Sequence, residues 1–348
     1  MIFIDNIIFS LQKAGGISVY FSEVLNNLIA YKCKFKVLNY KNDNSVQKEY
    51  RHDICFPEKP LYFPLVLIRY MDVFIPKETK VFHSSYYRLP LFFQRKKVKI
   101  LTTVHDFTYE RYIGGLSSKI HHWQKKRAVL GSDVVVCISN NTKDDLLHFI
   151  PSAKGKDIRV IYNGVSDDFF YLDESRRTLP SLNIIFIGAR AGYKNFHSLV
   201  AAMKMLVDFK LIIIGGGGLT NDEISLLEDC VSERYNYLSF VSNEKLNELY
   251  NNAWCLVYPS LYEGFGIPAV EAMKAGCPVI ASNSSSLPEV CSDAAILLDN
   301  ISPELIKNSV LSLKDNRFRC KLICNGLRNS KRFSWDKTFQ ELNKIYSE

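Results

Sequence analysis

Two acidic residues eight positions apart, Glu263 and Glu271, flank a Gly-Phe-Gly turn at the predicted start of a helix. An apolar strand pattern precedes them at 254–259, and Pro268 suits the first helical turn because its missing N–H costs nothing there. A glycine and a proline then end the helix. A helix start with free N–H groups favours anions and hydroxyl-rich ligands. Two carboxylates among these donors therefore predict a site for a polyol such as a sugar or a ribose.

The wider segment, residues 259–279, reads Pro-Ser-x-x-Glu-Gly-Phe-Gly-x-Pro-x-x-Glu-Ala-Met-x-x-Gly-x-Pro-Val. It resembles the Glu-x7-Glu signature of retaining glycosyltransferases, above all family 4 of the GT-B fold. The resemblance covers nearly the whole chain and is densest from 183 to 290. An ordinary amphipathic strand–helix unit is the alternative, but such a unit would need neither Gly-Phe-Gly nor both glutamates.

The resemblance implies a role for each part of this motif. Glu271 would accept hydrogen bonds from both ribose hydroxyls of a nucleotide. Glu263 would lie nearer the donor sugar; it could act as a base or nucleophile, whereas the family mechanism is usually drawn as same-face attack inside an ion pair. The sugar hydroxyls or the distal phosphate would be held by the backbone N–H groups of Gly264, Phe265, Gly266 and Ile267.

Transfer from a nucleotide-diphosphate sugar requires positive charge at the departing pyrophosphate. One enzyme class uses a metal ion held by Asp-x-Asp, and this chain contains no such triplet. Arg190 and Lys194 follow a predicted strand, enter a helix and are similar to the family's Gly-x-Arg-x(3–5)-Lys-Asn phosphate site. We therefore expect them to bind the donor phosphates with no metal and no other cofactor; a solvated basic loop is the alternative.

Glycine-rich turns follow predicted strands in both halves of the chain. Gly15 and Gly16 look like the family's N-terminal loop, where glycines let the backbone approach the donor phosphate, although a plain turn would also explain them. The run 215–218 lacks the sixth-place glycine of a dinucleotide fingerprint, which argues against NAD. The resemblance implies that this run faces the nucleotide and that the backbone of Val241 and Ser242 contacts the base, which a helix N-cap at Ser242 does not exclude.

Polar residues also end strands in the first half. His105 and Asp106 close one strand, at the sheet edge where ligands of α/β proteins bind. Members of the family carry a histidine here that contacts the transferred sugar, so we expect His105 to position the sugar with support from Asp106. A histidine satisfied by local backbone is the alternative. The acceptor region is expected to be lined by Asp106 and by residues that end a neighbouring strand, namely His83, Ser84 and Tyr86.

Short apolar runs alternate with helical patterns, which is typical of doubly wound parallel α/β sheets. The predicted strands are 2–5, 35–39, 81–83, 99–104, 133–138, 158–162, 183–187, 210–214, 238–241, 255–258, 279–281 and 295–298. We predict a GT-B fold with two Rossmann-like domains facing across a cleft: an acceptor-side domain at 1–165 and a nucleotide-sugar-binding domain at 166–332. Helix 333–348 would pack back on the first domain, and the hinge would run from Tyr162 towards Arg177.

The net charge of +8 is unevenly distributed: residues 1–165 carry +11 and residues 166–348 carry −3. The excess gathers at 95–99 and 119–127, where basic residues alternate with Trp and Ile, a pattern that favours an anionic membrane surface or a polyphosphate over a solvated helix face. Nucleic acid is not expected because no nucleic-acid motif occurs. No signal peptide and no run of about 18 apolar residues is apparent. Nine scattered cysteines fit a reducing compartment, so we expect a cytoplasmic protein, peripheral on the inner face of the membrane.

These features together predict a retaining, metal-independent hexosyltransferase. It would move a sugar from a nucleotide-diphosphate sugar to a hydroxyl of a glycan acceptor. The basic first half and the resemblance to the family imply an acceptor carried on a polyprenyl diphosphate, and the resemblance alone implies bacterial O-antigen or capsule synthesis. Two alternatives stay open: a GT-B-fold sugar-nucleotide epimerase, and a non-catalytic glycan- or lipid-binding protein on the same scaffold. Incubation with donor alone separates an epimerase from a transferase.

Overall fold

A computed structural model describes residues 1–46, 58–59, 64–172, 181–190 and 192–348. The chain divides into two units, the first comprising residues 1–164 and 335–348, the second residues 165–334. Each unit contains one sheet in which every neighbouring strand pair is parallel. The alternating pattern of the sequence thus produces the predicted pair of doubly wound sheets.

The sheet of the first unit has the order β3-β2-β1-β4-β5-β6-β7. Its strands are β1 (Ile2–Asp5), β2 (Phe35–Tyr40), β3 (Glu58–Lys59), β4 (Val81–Ser84), β5 (Lys99–Val104), β6 (Val134–Cys137) and β7 (Asp157–Val160). Strands β1, β4 and β6 are buried along their whole length, as expected for parallel strands covered on both faces. The carboxyl ends of β4 and β5 therefore carry the polar residues of this unit to one edge of the sheet.

The second unit has the order β10-β9-β8-β11-β12-β13. Its strands are β8 (Asn183–Ile187), β9 (Lys210–Ile214), β10 (Tyr235–Leu238), β11 (Cys255–Tyr258), β12 (Val279–Ser282) and β13 (Ala295–Leu298). The loops after β8, β9 and β11 leave the carboxyl edge of the sheet. These loops contain, in turn, the predicted phosphate-binding residues Arg190 and Lys194, the glycine run 215–218 and the carboxylate of Glu263.

Helices cover the two sheets. In the first unit they are α1 (Ile8–Leu11), α2 (Gly16–Ala30), α3 (Leu65–Ile68), α4 (Gly115–Gly131), α5 (Asn140–Phe149) and the C-terminal α13 (Trp335–Ser347). In the second unit they are α6 (Phe196–Met203), α7 (Asn221–Cys230), α8 (Asn243–Asn252), α9 (Ile267–Lys274), α10 (Leu287–Cys291), α11 (Pro303–Ser312) and α12 (Asn316–Ser330). Of the helices in the described ranges, none is long and apolar enough to cross a bilayer.

The C-terminal helix α13 packs on the first unit through an apolar face. Trp335, Phe339 and Tyr346 on this face are buried. The indole of Trp335 meets the ring of Tyr20 on α2 edge-on, with 6.0 Å between centroids. Burial of this face stabilises the helix, since a helix of this length is marginal by itself in water.

One predicted strand lies in a different place. The sequence predicts a strand at 238–241, whereas β10 is Tyr235–Leu238, and Val241 lies outside it. As an edge strand, β10 pairs only with β9 and in register Tyr235 with Leu211, so its pairing ends where β9 ends, at Ile214. The prediction relied on the run 238–241, which begins only after the polar Asn236 of β10. The predicted hinge towards Arg177 extends into 173–180, outside the described residues.

Candidate active site

The loop between β11 and α9 holds Glu263 in a fixed position. Its backbone N–H donates to Ser285 Oγ at 2.9 Å, and Ser286 Oγ donates to the carbonyls of Glu263 and Phe265, each at 3.0 Å. Phe265 is buried and packs edge-on against Phe333. The sequence gives no hint of the two serines, which lie more than twenty residues downstream and meet the loop only in the fold.

A short ion pair joins two of the predicted site residues. Lys194 Nζ lies 2.6 Å from Glu263 Oε1, and each side chain is only 12% exposed. Lys194 ends a 3₁₀ turn, Gly192–Lys194, after β8. Its ammonium also lies near the rings of Tyr193 and Tyr258, at 5.3 and 5.6 Å from their centroids. The structure therefore places a partly dehydrated cation beside the loop carboxylate.

The second carboxylate, Glu271, lies on α9 just over one turn from its start, as predicted. Burial raises the pKa of Glu271 to about 7, and a long hydrogen bond of 3.4 Å from the Tyr250 hydroxyl lowers it only partly. A carboxylate in this setting gains from any ligand that donates hydrogen bonds to it. The two hydroxyls of a ribose are such donors.

Gly266 lets the backbone turn sharply into α9. Its φ is +98°, in the region that favours glycine, and a Cβ here would lie 2.7 Å from Leu287 Cδ2. Ile267 then begins the helix, with Pro268 in its first turn. Gly266 is the N-cap of this helix, and as a glycine it provides no side-chain cap. The helix start thus has the geometry that the Gly-Phe-Gly run predicted.

Arg190 binds the chain's own glycine loop. Its Nη1 donates to the carbonyl of Gly215 at 2.8 Å, and its Nη2 donates to those of Gly217 and Gly218 at 2.9 and 2.8 Å. Its Nε donates to Glu223 at 2.9 Å, and its side chain is 2% exposed. The guanidinium, predicted to bind the donor phosphates directly, is therefore occupied by protein acceptors in this structure. It holds the glycine loop closed.

The loop 215–218 can only be built from glycine at its centre. Gly215, Gly216 and Gly217 have φ of +77°, +79° and +75°, so three consecutive residues are left-handed. A Cβ at Gly216 would lie 2.6 Å from the carbonyl oxygen of Gly188. The glycine run therefore turns its carbonyls towards Arg190, which its sequence did not reveal.

The predicted base-binding residues sit just before α8. Ser242 is the N-cap of α8, and its hydroxyl accepts from the N–H of Lys245 at 3.3 Å. Val241 is partly exposed in the preceding loop and not at a strand end. Capping leaves the backbone at this point able to contact a ligand.

In the first unit, His105 follows β5 and carries an unsatisfied nitrogen. The side chain is 7% exposed, and its Nε2 has no hydrogen-bond partner among the described residues. Burial lowers the pKa of His105 to about 4, so the ring is neutral at pH 7. Tyr20 packs edge-on against the ring at 5.1 Å between centroids. A buried nitrogen without a partner is costly, and a ligand hydroxyl would satisfy it.

Asp106 is held by a buried lysine that the sequence did not single out. Lys125 Nζ, fully buried on α4, donates to the Asp106 carbonyl at 2.7 Å and to Glu110 Oε2 at 2.9 Å. Burial would raise the pKa of Asp106, but the charge of Lys125 and hydrogen bonds from Thr108 outweigh it and the pKa is lowered. In the sequence, Lys125 belongs to the basic run 119–127, which was expected to face an anionic partner and not to be buried.

The residues predicted to line the acceptor region mostly form hydrogen bonds with other residues of the chain. His83 is fully buried, with Nδ1 2.8 Å from the Tyr346 hydroxyl and Nε2 2.9 Å from Thr103 Oγ1. Ser84 donates to Asp5 at 3.1 Å. The Tyr86 hydroxyl is hydrogen-bonded to Arg69. Both ring nitrogens of His83 are therefore already bonded, one to Tyr346 of α13 and one to Thr103, and neither is left for an acceptor. Of the three residues, only Tyr86 is partly exposed.

Gly15 and Gly16 start α2, but not directly after β1. The short helix α1 intervenes, and Gly15 is the N-cap of α2 without any side-chain cap. Gln12 folds over this turn and donates to Ser18 Oγ at 2.8 Å. A Cβ at Gly15 would lie 2.6 Å from the Gln12 side chain. The uncapped N–H groups of α2 are consistent with an anion site.

In the described parts of the chain, no cluster of three or more His, Cys, Asp or Glu side chains could hold a metal ion.

Comparison with known proteins gives two family matches that together span most of the chain. Residues 14–169 match Glycosyltransferase Family 4, and residues 173–328 match Glycosyl transferases group 1. The chain is 30% identical over 301 residues to O-antigen chain mannosyltransferase B of Escherichia coli, which covers 84% of this chain and 68% of that protein. It is 31% identical over 203 residues to O-antigen chain mannosyltransferase RfbU of Salmonella typhimurium, covering 57% of this chain and 56% of that protein.

Solved structures share the fold. Sucrose-phosphate synthase from Thermosynechococcus elongatus superimposes with a TM-score of 0.79 at 18% identity, covering 99% of this chain and 98% of the other. HepE from Anabaena, solved with UDP-glucose, gives a TM-score of 0.77 at 15% identity, with 99% of each chain covered. These likenesses confirm the predicted α/β GT-B fold of two Rossmann-like units. Together with the matched motifs and the 30% identical relative, they show that the chain belongs to glycosyltransferase family 4.

Proposed function

We propose that this glycosyltransferase is a retaining, metal-independent hexosyltransferase of bacterial surface polysaccharide synthesis. It would transfer a sugar from a nucleotide-diphosphate sugar to a hydroxyl of a glycan acceptor, in O-antigen or capsule assembly. The observation that carries the proposal is the pairing of Lys194 with Glu263 beside the start of α9. Support for the sugar class comes from the two mannosyltransferase relatives, and support for the donor class from HepE, solved with UDP-glucose.

Lys194 is the cation proposed to act on the donor pyrophosphate. Its ammonium donates to Glu263 Oε1 at 2.6 Å, and the side chain is 12% exposed. An incoming diphosphate carries more charge than Glu263 and would compete for the ammonium. A fixed ammonium stabilises the leaving group without a divalent ion, which is why we propose a metal-independent reaction.

Arg190 is proposed to act through the glycine loop. Because its donors are bonded to the carbonyls of 215–218 and to Glu223, it holds this loop in one conformation. Its positive charge still contributes to the potential at the end of β8. A direct contact with phosphate would require the guanidinium to give up some of these hydrogen bonds.

Glu271 and the start of α9 are proposed to hold the nucleoside and the sugar. The Glu271 carboxylate would accept hydrogen bonds from the ribose hydroxyls, which offsets the burial that raises its pKa. The N–H groups at Gly266 and Ile267 would bind sugar hydroxyls or the distal phosphate. Glu263, released from Lys194, would then accept a hydrogen bond from the sugar.

His105 is proposed to position the transferred sugar. The unpartnered Nε2 of a neutral imidazole can donate to or accept from a sugar hydroxyl, whichever tautomer is present. Asp106, fixed by Lys125, would keep the loop after β5 in place. The acceptor hydroxyl would attack the anomeric carbon on the face from which the diphosphate leaves, and the acceptor is proposed to be carried on a polyprenyl diphosphate.

The proposal is tested by incubating the purified chain with a panel of UDP-, GDP- and dTDP-sugars and a synthetic glycan acceptor, beginning with GDP-mannose. We expect transfer with retention of the anomeric configuration by NMR, at the same rate in excess EDTA. Loss of turnover on chelation would refute metal independence, and an inverted product would refute retention. Conversion of the donor in the absence of acceptor would instead identify an epimerase.

A further inference from the structure

The first three turns of helix α4 (Gly115–Gly131) expose large apolar side chains and bury polar ones. Leu116, Ile120 and Trp123 lie at spacings of four and three, on one face, and are 73%, 38% and 55% exposed. The opposite face is buried and carries His121 and Lys125, 5% and 0% exposed, together with other polar side chains. A surface helix of a protein in water normally shows the opposite arrangement.

The buried polar face is satisfied by the protein interior. Lys125 bonds to Asp106 and Glu110, and Gln124 donates to the backbone carbonyl of Arg69. These contacts fix the rotation of α4 about its axis. The exposed apolar line is therefore the fold's stable arrangement and not a frayed helix.

The apolar line belongs to a larger surface of the first unit, here called the apolar patch. We give this name to the exposed large apolar side chains of the segments 67–74, 92–97 and 112–123, which are Leu67, Met71, Phe74, Phe92, Phe93, Tyr112, Ile113, Leu116, Ile120 and Trp123. Asp72 joins the segments, because its two oxygens bind Arg95 and Arg127, each at 2.7 Å. Phe92 and Phe93, 79% and 68% exposed, lie next to Arg95 in the 3₁₀ helix of residues 92–97.

Basic side chains are interspersed in the apolar patch. Lys96, Lys97, Lys119 and Lys126 are exposed. Segments 92–97 and 111–127 contain no acidic residue, and Asp72 of the third segment is paired with Arg95 and Arg127. A surface that combines exposed aromatic side chains with unopposed lysines is complementary to one kind of partner, an apolar layer bordered by negative charge.

We propose that the apolar patch docks this protein on an anionic lipid bilayer, with Trp123, Ile120 and Leu116 entering the interface and the lysines contacting the lipid headgroups. The link between this docking and a lipid-carried acceptor rests on the proposed function. The docking itself can be measured without any sugar transfer. Trp is enriched at the level of membrane headgroups, and lysine side chains extend from apolar surroundings to charge. A second copy of the chain fits less well, because a two-fold contact through this patch would bring lysines against lysines.

Docking through α4 would also bring the loop after β5 close to the bilayer. The same helix presents Trp123 outward and holds the Asp106 carbonyl inward through Lys125 at 2.7 Å. His105 is the residue before Asp106. A lipid-carried acceptor would thus meet the residues proposed to bind sugar near the membrane surface.

The test measures binding of the full chain to sonicated vesicles of phosphatidylethanolamine and phosphatidylglycerol at 3:1, and to phosphatidylcholine alone. We expect cosedimentation with the anionic vesicles, with a blue shift of tryptophan emission. Of the three tryptophans in the chain, Trp123 is the exposed one, whereas Trp335 is buried. In W123F the shift should be lost while binding is kept within about threefold.

Paired variants separate the two contributions. L116S/I120S should lower the partition coefficient at least about 10-fold through lost apolar burial. K119E/K126E should lower it about 30-fold or more, because each lysine near an anionic surface is worth roughly a fivefold change. The matched controls in the second unit, L305S/F318S and K314E/K321E, change exposed residues of the same kinds and should leave binding unchanged.

Equal loss in the controls, absence of a Trp123 shift, or no binding to anionic vesicles would overturn the proposal. A change of oligomeric state in L116S/I120S, measured by light scattering, would assign the patch to a second copy instead. Sugar transfer to a water-soluble acceptor distinguishes failure of the docking proposal from failure of the proposed function. If transfer persists without vesicle binding, docking fails alone; if vesicles bind but no donor is used, the proposed function fails alone.

Discussion

Replacement of Glu271 by glutamine should make the protein more stable at alkaline pH and weaken its binding of the donor. Burial raises the pKa of this carboxyl from 4.5 to about 7. A carboxyl whose pKa is higher in the folded state binds more protons when folded, so its contribution to stability is full below about pH 4.5 and is lost as the pH rises to about 7. The difference corresponds to roughly 3 kcal/mol at most, since each pKa unit is worth about 1.4 kcal/mol.

Glutamine has the same shape and no charge, so E271Q avoids this cost. We expect wild type and E271Q to have similar unfolding free energies at pH 4.5, and E271Q to be more stable by about 1–3 kcal/mol at pH 8.5. Urea unfolding at both pH values measures the difference, with E233Q, at an exposed glutamate, as a control. In wild type, a nucleoside diphosphate should restore stability at pH 8.5, because ribose hydroxyls solvate the carboxylate.

The reasoning is refuted if E271Q is no more stable than wild type at pH 8.5, or if the gain is the same at both pH values. If the gain appears but nucleotide affinity is unchanged, the carboxyl is buried as described and does not contact the ribose. We expect affinity to fall about 10- to 100-fold, since an amide replaces a charge-assisted acceptor.

Three further outcomes are expected. K194A should lower kcat at least about 100-fold with the fold retained by circular dichroism, because it removes the cation proposed at the pyrophosphate; near-normal turnover would reject that assignment. G216A should destabilise the second unit by about 2–4 kcal/mol in urea unfolding, from its positive φ and its contact with backbone, whereas G218A, with open space around it, should be nearly neutral. Asp5 and Arg88 form a buried pair at 3.1 Å, so D5A should cost about 3–5 kcal/mol, and the double variant D5L/R88L should recover part of that loss; equal stability of D5A and wild type would contradict this.

Much of the fold could be predicted from local pattern. Strands such as β8 and β9 are continuous apolar runs between turn signals, and their predicted bounds agree with the structure. The edge strand β10 was misplaced because Asn236 breaks the run and only pairing with β9 sets its register. The short helix α1 after β1 was not predicted, since four residues give no periodicity to detect.

The sequence by itself determined the family, because the Glu263–Glu271 spacing, the glycine turn and Lys194 are local signals, and the same signals supplied the candidate site residues. Tertiary structure alone decided which of these groups are available. Arg190 is hydrogen-bonded to the glycine loop, and both ring nitrogens of His83 are bonded to Thr103 and Tyr346. Lys125 is buried on the inner face of α4, which exposes Trp123 on its outer face. Hydrogen bonds and burial depend on residues far apart in the chain, and a linear pattern does not contain them.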